Sequence, residues 1–319
     1  MAINLRDRYR GALVGVLCGD ALGAPYETWK AVDVMRDLIA RGGLVAFDYP
    51  NPWKKEGPPS IFSKGRPTDD SDHTAALAES LIERRAVDQE DLFMRLRSIV
   101  FDHKSPLWEG RAYGAGKTTR NMLRPATWDE SKALTGDDAF PSNGSLMRSV
   151  PLALFFGKRQ RIDAKAVRSM SAVTHRHETA VECCDAYIQI LVGILEGIPM
   201  RYFMESLPET VASPELALVL ANPYADARDP EVWPGRGAAV FTLHVALQAF
   251  MTEGIMSFHA GLTHAIVVGG DTDTYGAVAG GLLGARWGIE AIPQEWQEAL
   301  IGREKMIDLA DRLYALAHP

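Results

Sequence analysis

Asp271-Thr272-Asp273-Thr274 places two carboxylates and two hydroxyls directly after the apolar Val267-Val268 and the glycine pair Gly269-Gly270. Glycine supplies the backbone freedom for a tight turn, and an Asp or Thr after it can accept from the free N–H groups of a new helix. One such side chain is enough for a cap. Asp271, Asp273 and Thr274 together exceed that need, and carboxylates set between apolar segments must be solvated, protonated or neutralised by a cation. A second group of this kind, Thr68-Asp69-Asp70-Ser71-Asp72, opens a helical pattern from His73 to Arg85. Adjacent residues within a helix diverge by about 100°. At helix starts, where the backbone turns, each acidic pair can splay around one point. Two readings are open: each group caps only its own helix, or the two starts meet and four carboxylates converge, with Thr68 and Thr274 adding neutral oxygens. The presence of both groups in one helical chain favours convergence. Four negative charges in one place repel strongly without cations. The donors are all hard oxygens with no Cys or His among them, which selects Mg²⁺, Mn²⁺ or Ca²⁺ over zinc or copper. The charge count suits two ions.

The elements that must position these groups are helical. Leu5, Tyr9, Ala12, Leu13, Val16 and Leu17 recur at helical spacing, so the first element reaches Asp20 or slightly beyond. Gly11, Gly15, Gly19 and Gly23 repeat every four residues along it. They make a narrow ridge on one face where another helix can approach closely. The chain then turns at Gly23-Ala24-Pro25 and delivers Tyr26 and Glu27. Further helices are predicted over 30–41, 89–103, 117–124, 146–156, 163–173, 178–197, 238–252, 256–268, 273–287, 293–300 and 303–317, with a weaker one over 200–220. Residues 42–67 and 221–237 read as Pro/Gly-rich loops, and long loops in a compact domain tend to carry function. No run of alternating strands, heptads or repeats stands out. The fold class is all-α, one domain over 1–319, with its loops gathered at one end to form a site.

The chain of 319 residues carries a net charge of −7, which argues against a nucleic-acid binder. Its 47% of hydrophobic residues supply a substantial core. The run from Gly11 to Gly23 contains Asp20 and is too short for a membrane span. It reads as a core helix rather than a signal peptide. Cys18, Cys183 and Cys184 form no C-x-x-C pair and read as reduced, buried thiols. A cytoplasmic protein with no membrane partner is expected. The loop Gly110 to Thr118 imitates a nucleotide-binding P-loop, but Arg111 stands where the first glycine belongs and no strand precedes it. It remains a candidate anion site before a helix. His73 reads as a helix-surface residue, and His177 and His264 as structural. Arg148 reads as a core partner for a carboxylate, and Trp233 as loop packing.

These segments together resemble the ADP-ribosylglycohydrolases. The resemblance lies in Gly11-Ala12-Leu13-Val14-Gly15 through Gly19-Asp20-Ala21-Leu22-Gly23 with Tyr26-Glu27; in Thr68-Asp69-Asp70; in Tyr113-Gly114-Ala115-Gly116; in Asn143-Gly144-Ser145 through Met147-Arg148; in Thr174-His175; and in Gly269 to Thr274. The ordered set spans residues 11 to about 290, nearly the whole chain.

The resemblance implies an all-α fold with a binuclear Mg²⁺ or Mn²⁺ centre held by Thr68, Asp69, Asp70, Asp271, Asp273 and Thr274. It places Glu27 beside the metals. It assigns Ser142, Asn143, Gly144, Ser145, Gly114 and Gly116 to the diphosphate and distal ribose, and His175 to the adenosine end. Asp70 and Glu27 are the candidate proton carriers. The activity implied is metal-dependent release of ADP-ribose from modified protein side chains. Tyr113 to Gly116 looks like the serine-linkage branch and Lys117-Thr118-Thr119-Arg120 like bacterial arginine-type members; arginine is favoured. The alternatives are hydrolysis of serine-linked or other O-linked ADP-ribose, or a non-catalytic protein that occludes a cognate ADP-ribosyltransferase. Ser71 replaces a typical Thr and keeps the hydroxyl, and Ser142 stands where Gly is common.

Overall fold

The computed structural model describes residues 3–43, 65–134, 140–225 and 237–319. Sixteen α-helices and no β-strand occur among them. They are α1 (Leu5–Gly23), α2 (Ala31–Arg41), α3 (Asp69–Arg84), α4 (Gln89–Phe101), α5 (Lys117–Leu123), α6 (Trp128–Lys132), α7 (Val150–Phe156) and α8 (Ala164–Ala172). The second half adds α9 (Glu178–Glu196), α10 (Met200–Ser206), α11 (Pro214–Ala221), α12 (Ala239–Met251), α13 (Phe258–Val267), α14 (Thr272–Trp287), α15 (Gln294–Ala299) and α16 (Arg303–Ala317). The all-α expectation is met. No described helix is long and apolar enough to cross a membrane. Most of the two predicted Pro/Gly-rich loops, and Trp233 with them, lies outside the described residues.

Three boundaries differ from the sequence reading for local reasons. Helix α3 begins at Asp69 because Thr68 takes the N-cap position, so the acidic residues lie inside its first turn. Helix α7 begins at Val150, with Pro151 in the first turn where its missing N–H costs nothing. The weak helix over 200–220 divides: Pro208 sits in a short 3₁₀ turn, and Ser213 caps a new helix ahead of Pro214. The short α6, missed in the sequence, is held by a capping box between Thr127 and Glu130.

At the centre, α1 and α14 run antiparallel with their backbones in contact. A Cβ added at Gly11, Gly15 or Gly19 would lie 2.4, 2.2 or 1.9 Å from the carbonyl oxygen of Gly284, Gly280 or Gly276. At Gly23 it would lie 2.1 Å from the carbonyl of Thr272. The ridge read from the sequence therefore has a matching ridge on α14. Around this pair Leu13, Leu17, Tyr187, Leu247, Phe258, Leu282 and Leu313 are all fully buried. The buried thiols Cys18, Cys183 and Cys184 are free, as read from their spacing.

The contact fixes register as well as distance. Thr272 Oγ1 donates to the carbonyl of Gly23 at 2.8 Å, pinning the start of α14 to the end of α1. Just beyond, Thr28 N donates to Gly270 O at 2.6 Å and Gly270 N donates to Trp29 O at 2.8 Å. Gly269 and Gly270 have φ of 71° and 91°, the left-handed region their turn requires.

A methyl group at position 19 meets a backbone carbonyl that cannot rotate away. Gly19→Ala is expected to lower unfolding free energy by about 3 kcal/mol, read as a fall in the urea midpoint; an unchanged midpoint would contradict this packing.

Candidate functional site

The end of α1, the start of α3 and the start of α14 surround a cleft of about 420 Å³. Its wall includes Glu27, Asp69, Asp70, Asp271, Asp273, Thr274, Gly114, Gly116, Ser142, Asn143, Gly144 and His175. Nearly every candidate from the sequence thus meets in one place. Thr68 lies just behind this wall, 2% exposed, its hydroxyl 3.2 Å from Asp70 Oδ2. Ser145 lies deeper than these: it is fully buried, with its hydroxyl against Ser171 and Cys184, and its side chain does not line the cleft.

Asp20, which the sequence reading left without a role, brings α3 to α1. It is fully buried. Its carboxylate accepts from Thr68 N and Thr68 Oγ1 at 3.0 and 2.9 Å, and from Ser71 N and Ser71 Oγ at 3.0 and 2.5 Å. Two of the N–H groups at the α3 start, those of Thr68 and Ser71, are therefore met from another helix, while Asp70 N is met by Thr68 Oγ1. Burial pushes the Asp20 carboxyl up to about 6, against the pull of these hydrogen bonds. A lone Asp on an otherwise apolar helix face was the available signal, because a buried carboxylate must find donors.

At the α14 start Asp273 Oδ1 accepts from Thr274 N at 2.9 Å, but the Asp271 carboxylate is not used as a cap. Asp271 occupies the N-cap position without a side-chain cap bond. Its Oδ2 instead accepts from Asn143 Nδ2 at 2.7 Å, and its Oδ1 from Thr274 Oγ1 at 3.2 Å. Asn143 also donates to Thr242 Oγ1 at 2.8 Å, tying its loop to α12.

Glu27, Asp271 and Asp273 each present a carboxylate oxygen, all within 4.8 Å of one another. The charge of Asp70 is felt at Asp273, and that of Asp271 at both Asp69 and Asp70. Burial, then the charges of Asp20 and neighbouring carboxylates, hold Asp69 and Asp70 well above the ordinary carboxylate range. Burial and the charges of Asp271, Asp70 and Glu27 do the same to Asp273. Partial desolvation, then Asp271 and Asp20, raise the Glu27 carboxyl. Asp70 Oδ1 is buried and has no hydrogen-bond partner. A buried orphan acceptor among mutually repelling carboxylates is the electrostatic shape of a cation site. The oxygen-only donor set fits hard divalent ions.

The far wall is built on glycines. A Cβ at Gly114, where φ is +117°, would lie 2.1 Å from Asp69 Oδ1, so only glycine lets this loop close on the acidic group. At Gly144 a Cβ would meet the His175 ring at 2.7 Å. His175 Nδ1 bonds the Thr174 hydroxyl at 2.7 Å. Burial, with the nearby Arg148 charge, lowers His175 to about 3, leaving a neutral ring. Ser142 Oγ donates to Thr118 Oγ1 at 3.1 Å, which joins the two loops.

Two expectations are corrected. Arg148 does not pair with a carboxylate: its guanidinium donates to the Gly144 and Met170 carbonyls and to Thr174 Oγ1, bracing the loop behind the cleft. His73 is not on a surface but fully buried, its Nδ1 3.8 Å from Asp69 Oδ2. Its helix is covered on all sides of the first turns, which a single-face periodicity does not reveal. His177 caps α9 and His264 bonds Gln248, both structural as expected.

Comparison with known proteins agrees with this geometry. The ADP-ribosylglycohydrolase family model matches residues 1–319. The chain is 26% identical to ADP-ribosylarginine hydrolase Tri1 of Serratia proteamaculans, covering 98% of this chain and 80% of that protein. It is 29% identical to ADP-ribosylhydrolase ARH3 of Danio rerio, over 98% and 92% of the two chains. With ADP-ribosyl-[dinitrogen reductase] glycohydrolase of Rhodospirillum rubrum it shares 26% identity over 93% and 91%. A solved structure described as an ADP-ribosylglycohydrolase-related protein complex superposes with a TM-score of 0.77 at 32% identity, covering 98% of this chain and 99% of that one. The acidic cleft and the glycine-walled loops beside it are thus carried on a chain that belongs to the ADP-ribosylglycohydrolase family of glycosidases.

Proposed function

We propose that the protein is a metal-dependent ADP-ribosylhydrolase that removes ADP-ribose from modified protein side chains, with arginine as the favoured linkage. The observation that carries this reading is that Glu27, Asp271 and Asp273 bring carboxylate oxygens within 4.8 Å of one another in the same cleft as Asp70, whose Oδ1 is buried and unpaired. Asp69, Asp70, Asp271 and Asp273, with Thr68 and Thr274, would hold two Mg²⁺ or Mn²⁺ ions. Bound divalent ions supply positive charge that orients ribose hydroxyls and acidifies water at the site.

The chain's own groups account for the rest. Breaking the bond to the anomeric carbon develops positive charge on the ribose, which the surrounding carboxylates favour. Glu27 stands at the rim with its carboxyl raised, suited to move a proton to the leaving nitrogen or oxygen. Asp70 is the second candidate for that role. The Gly114–Gly116 and Ser142–Gly144 loops face the same cleft and offer backbone donors and hydroxyls to a diphosphate. His175, neutral behind Gly144, suits the adenosine end without adding charge. The acidic rim attracts a guanidinium, which supports the arginine linkage. So does the similarity to an ADP-ribosylarginine hydrolase.

Arginine-linked and serine-linked ADP-ribosyl peptides, offered with Mg²⁺ or Mn²⁺, separate the linkages. Release of ADP-ribose is expected from the arginine peptide and is expected to stop with EDTA. Asp70→Asn should lower kcat/KM by about 100-fold or more. Release from neither peptide would refute the function.

Proton linkage gives an independent check. Asp20 at about 6 and Asp72 at about 7 are raised, chiefly by burial, as are Asp69, Asp70 and Asp273. Folding therefore takes up protons: the contribution of Asp20 and Asp72 is full below about pH 4 and is lost as pH rises through 6 to 7, and Asp69, Asp70 and Asp273 act in the same direction. Cations bind the deprotonated form of Asp69, Asp70 and Asp273 and offset the cost of ionising them. The rise in Tm on adding Mn²⁺ should be small at pH 5 and reach about 5 °C at pH 7.5. A pH-independent increment, or none, would count against a carboxylate metal site.

A further inference from the structure

His73 is a fully buried imidazole with neither ring nitrogen hydrogen-bonded. A buried polar group without a partner costs on the order of 1–3 kcal/mol. A position needed only for packing would hold Leu or Met more stably. His73 lies four residues after Asp69, on the same face of α3. Its Nδ1 is 3.8 Å from Asp69 Oδ2. A neutral imidazole has one N–H to give.

We propose that His73 is a positioning residue for Asp69, its Nδ1–H held ready to donate to Oδ2 while Oδ1 stays against Gly114 on the cleft wall. The gap exceeds a hydrogen bond by less than about 1 Å. A carboxylate oxygen is a strong acceptor, and a small rotation of the Asp69 side chain would close the bond. His73 thereby selects which Asp69 oxygen faces the ion and fixes the carboxylate's rotation. Gly114 guards the other side: any side chain there would strike Oδ1. The inference rests on the metal dependence proposed above and concerns a residue behind the metal ligands, touching neither substrate nor ion.

The test is calorimetric titration of Mn²⁺ into wild type, His73→Leu and His73→Gln, with melts of each protein in EDTA. His73→Leu is expected to raise the Mn²⁺ Kd about 10- to 100-fold, while its metal-free Tm equals or exceeds that of wild type. His73→Gln keeps an N–H donor and is expected to stay within about threefold of the wild-type Kd. A His73→Leu protein that binds Mn²⁺ as tightly as wild type overturns the proposal. Equal weakening in both variants also overturns it, because the donor then plays no part. Wild type that binds no Mn²⁺ overturns the metal reading itself, a distinguishable failure.

Discussion

The structure depends on two helices touching through their backbones. Where Gly15 meets Gly280 and Gly19 meets Gly276, no side chain separates α1 from α14. Contact this close leaves no freedom to slide, because each carbonyl occupies the space a Cβ would take. The α1–α14 pair therefore acts as a ruler. It sets the end of α1, with Glu27, against the start of α14, with Asp271 and Asp273, and Thr272 locks the register through its bond to Gly23. Asp20 extends the same ruler to α3. By accepting four hydrogen bonds from Thr68 and Ser71, it holds Asp69 and Asp70 beside the α14 start.

The consequence is an electrostatic conflict that the fold does not resolve alone. Carboxylates from three helix ends are packed where burial and mutual repulsion oppose their charge. Helix starts favour negative charge through their free N–H groups, but that effect is small beside several carboxylates in one cleft. Rigid packing prevents them from spreading apart. A frame this stiff suits the cation site proposed for it. The loops opposite are held by the Arg148 guanidinium on the Gly144 carbonyl and by Ser142 on Thr118, contacts that add no negative charge near a diphosphate.

Much of this was legible in the sequence, for identifiable reasons. Glycines at four-residue spacing imply a close helix partner, and paired acids at two helix starts imply more oxygen than caps need. What was not legible is what depends on three-dimensional burial. Asp20 looked like the tail of a core helix because its donors lie about 50 residues away. His73 looked exposed because α3 is covered on every side at its first turns, which a single apolar stripe does not encode. Ser145 follows Gly144 directly, yet its side chain turns into the core toward Cys184. Arg148 finds carbonyls rather than a carboxylate, because the turn at residues 143–149 leaves the Gly144 carbonyl facing it.

The central claim is that a rigid glycine contact forces carboxylates from separate helices into one cation site. Diffraction from crystals grown with saturating Mn²⁺, collected at the manganese edge, tests it most directly. The account predicts anomalous density between the α3 start at Asp69 and Asp70 and the α14 start at Asp271 and Asp273, with the α1–α14 register unchanged. Crystals showing no anomalous density there, with the carboxylates paired through shared protons instead, would contradict it.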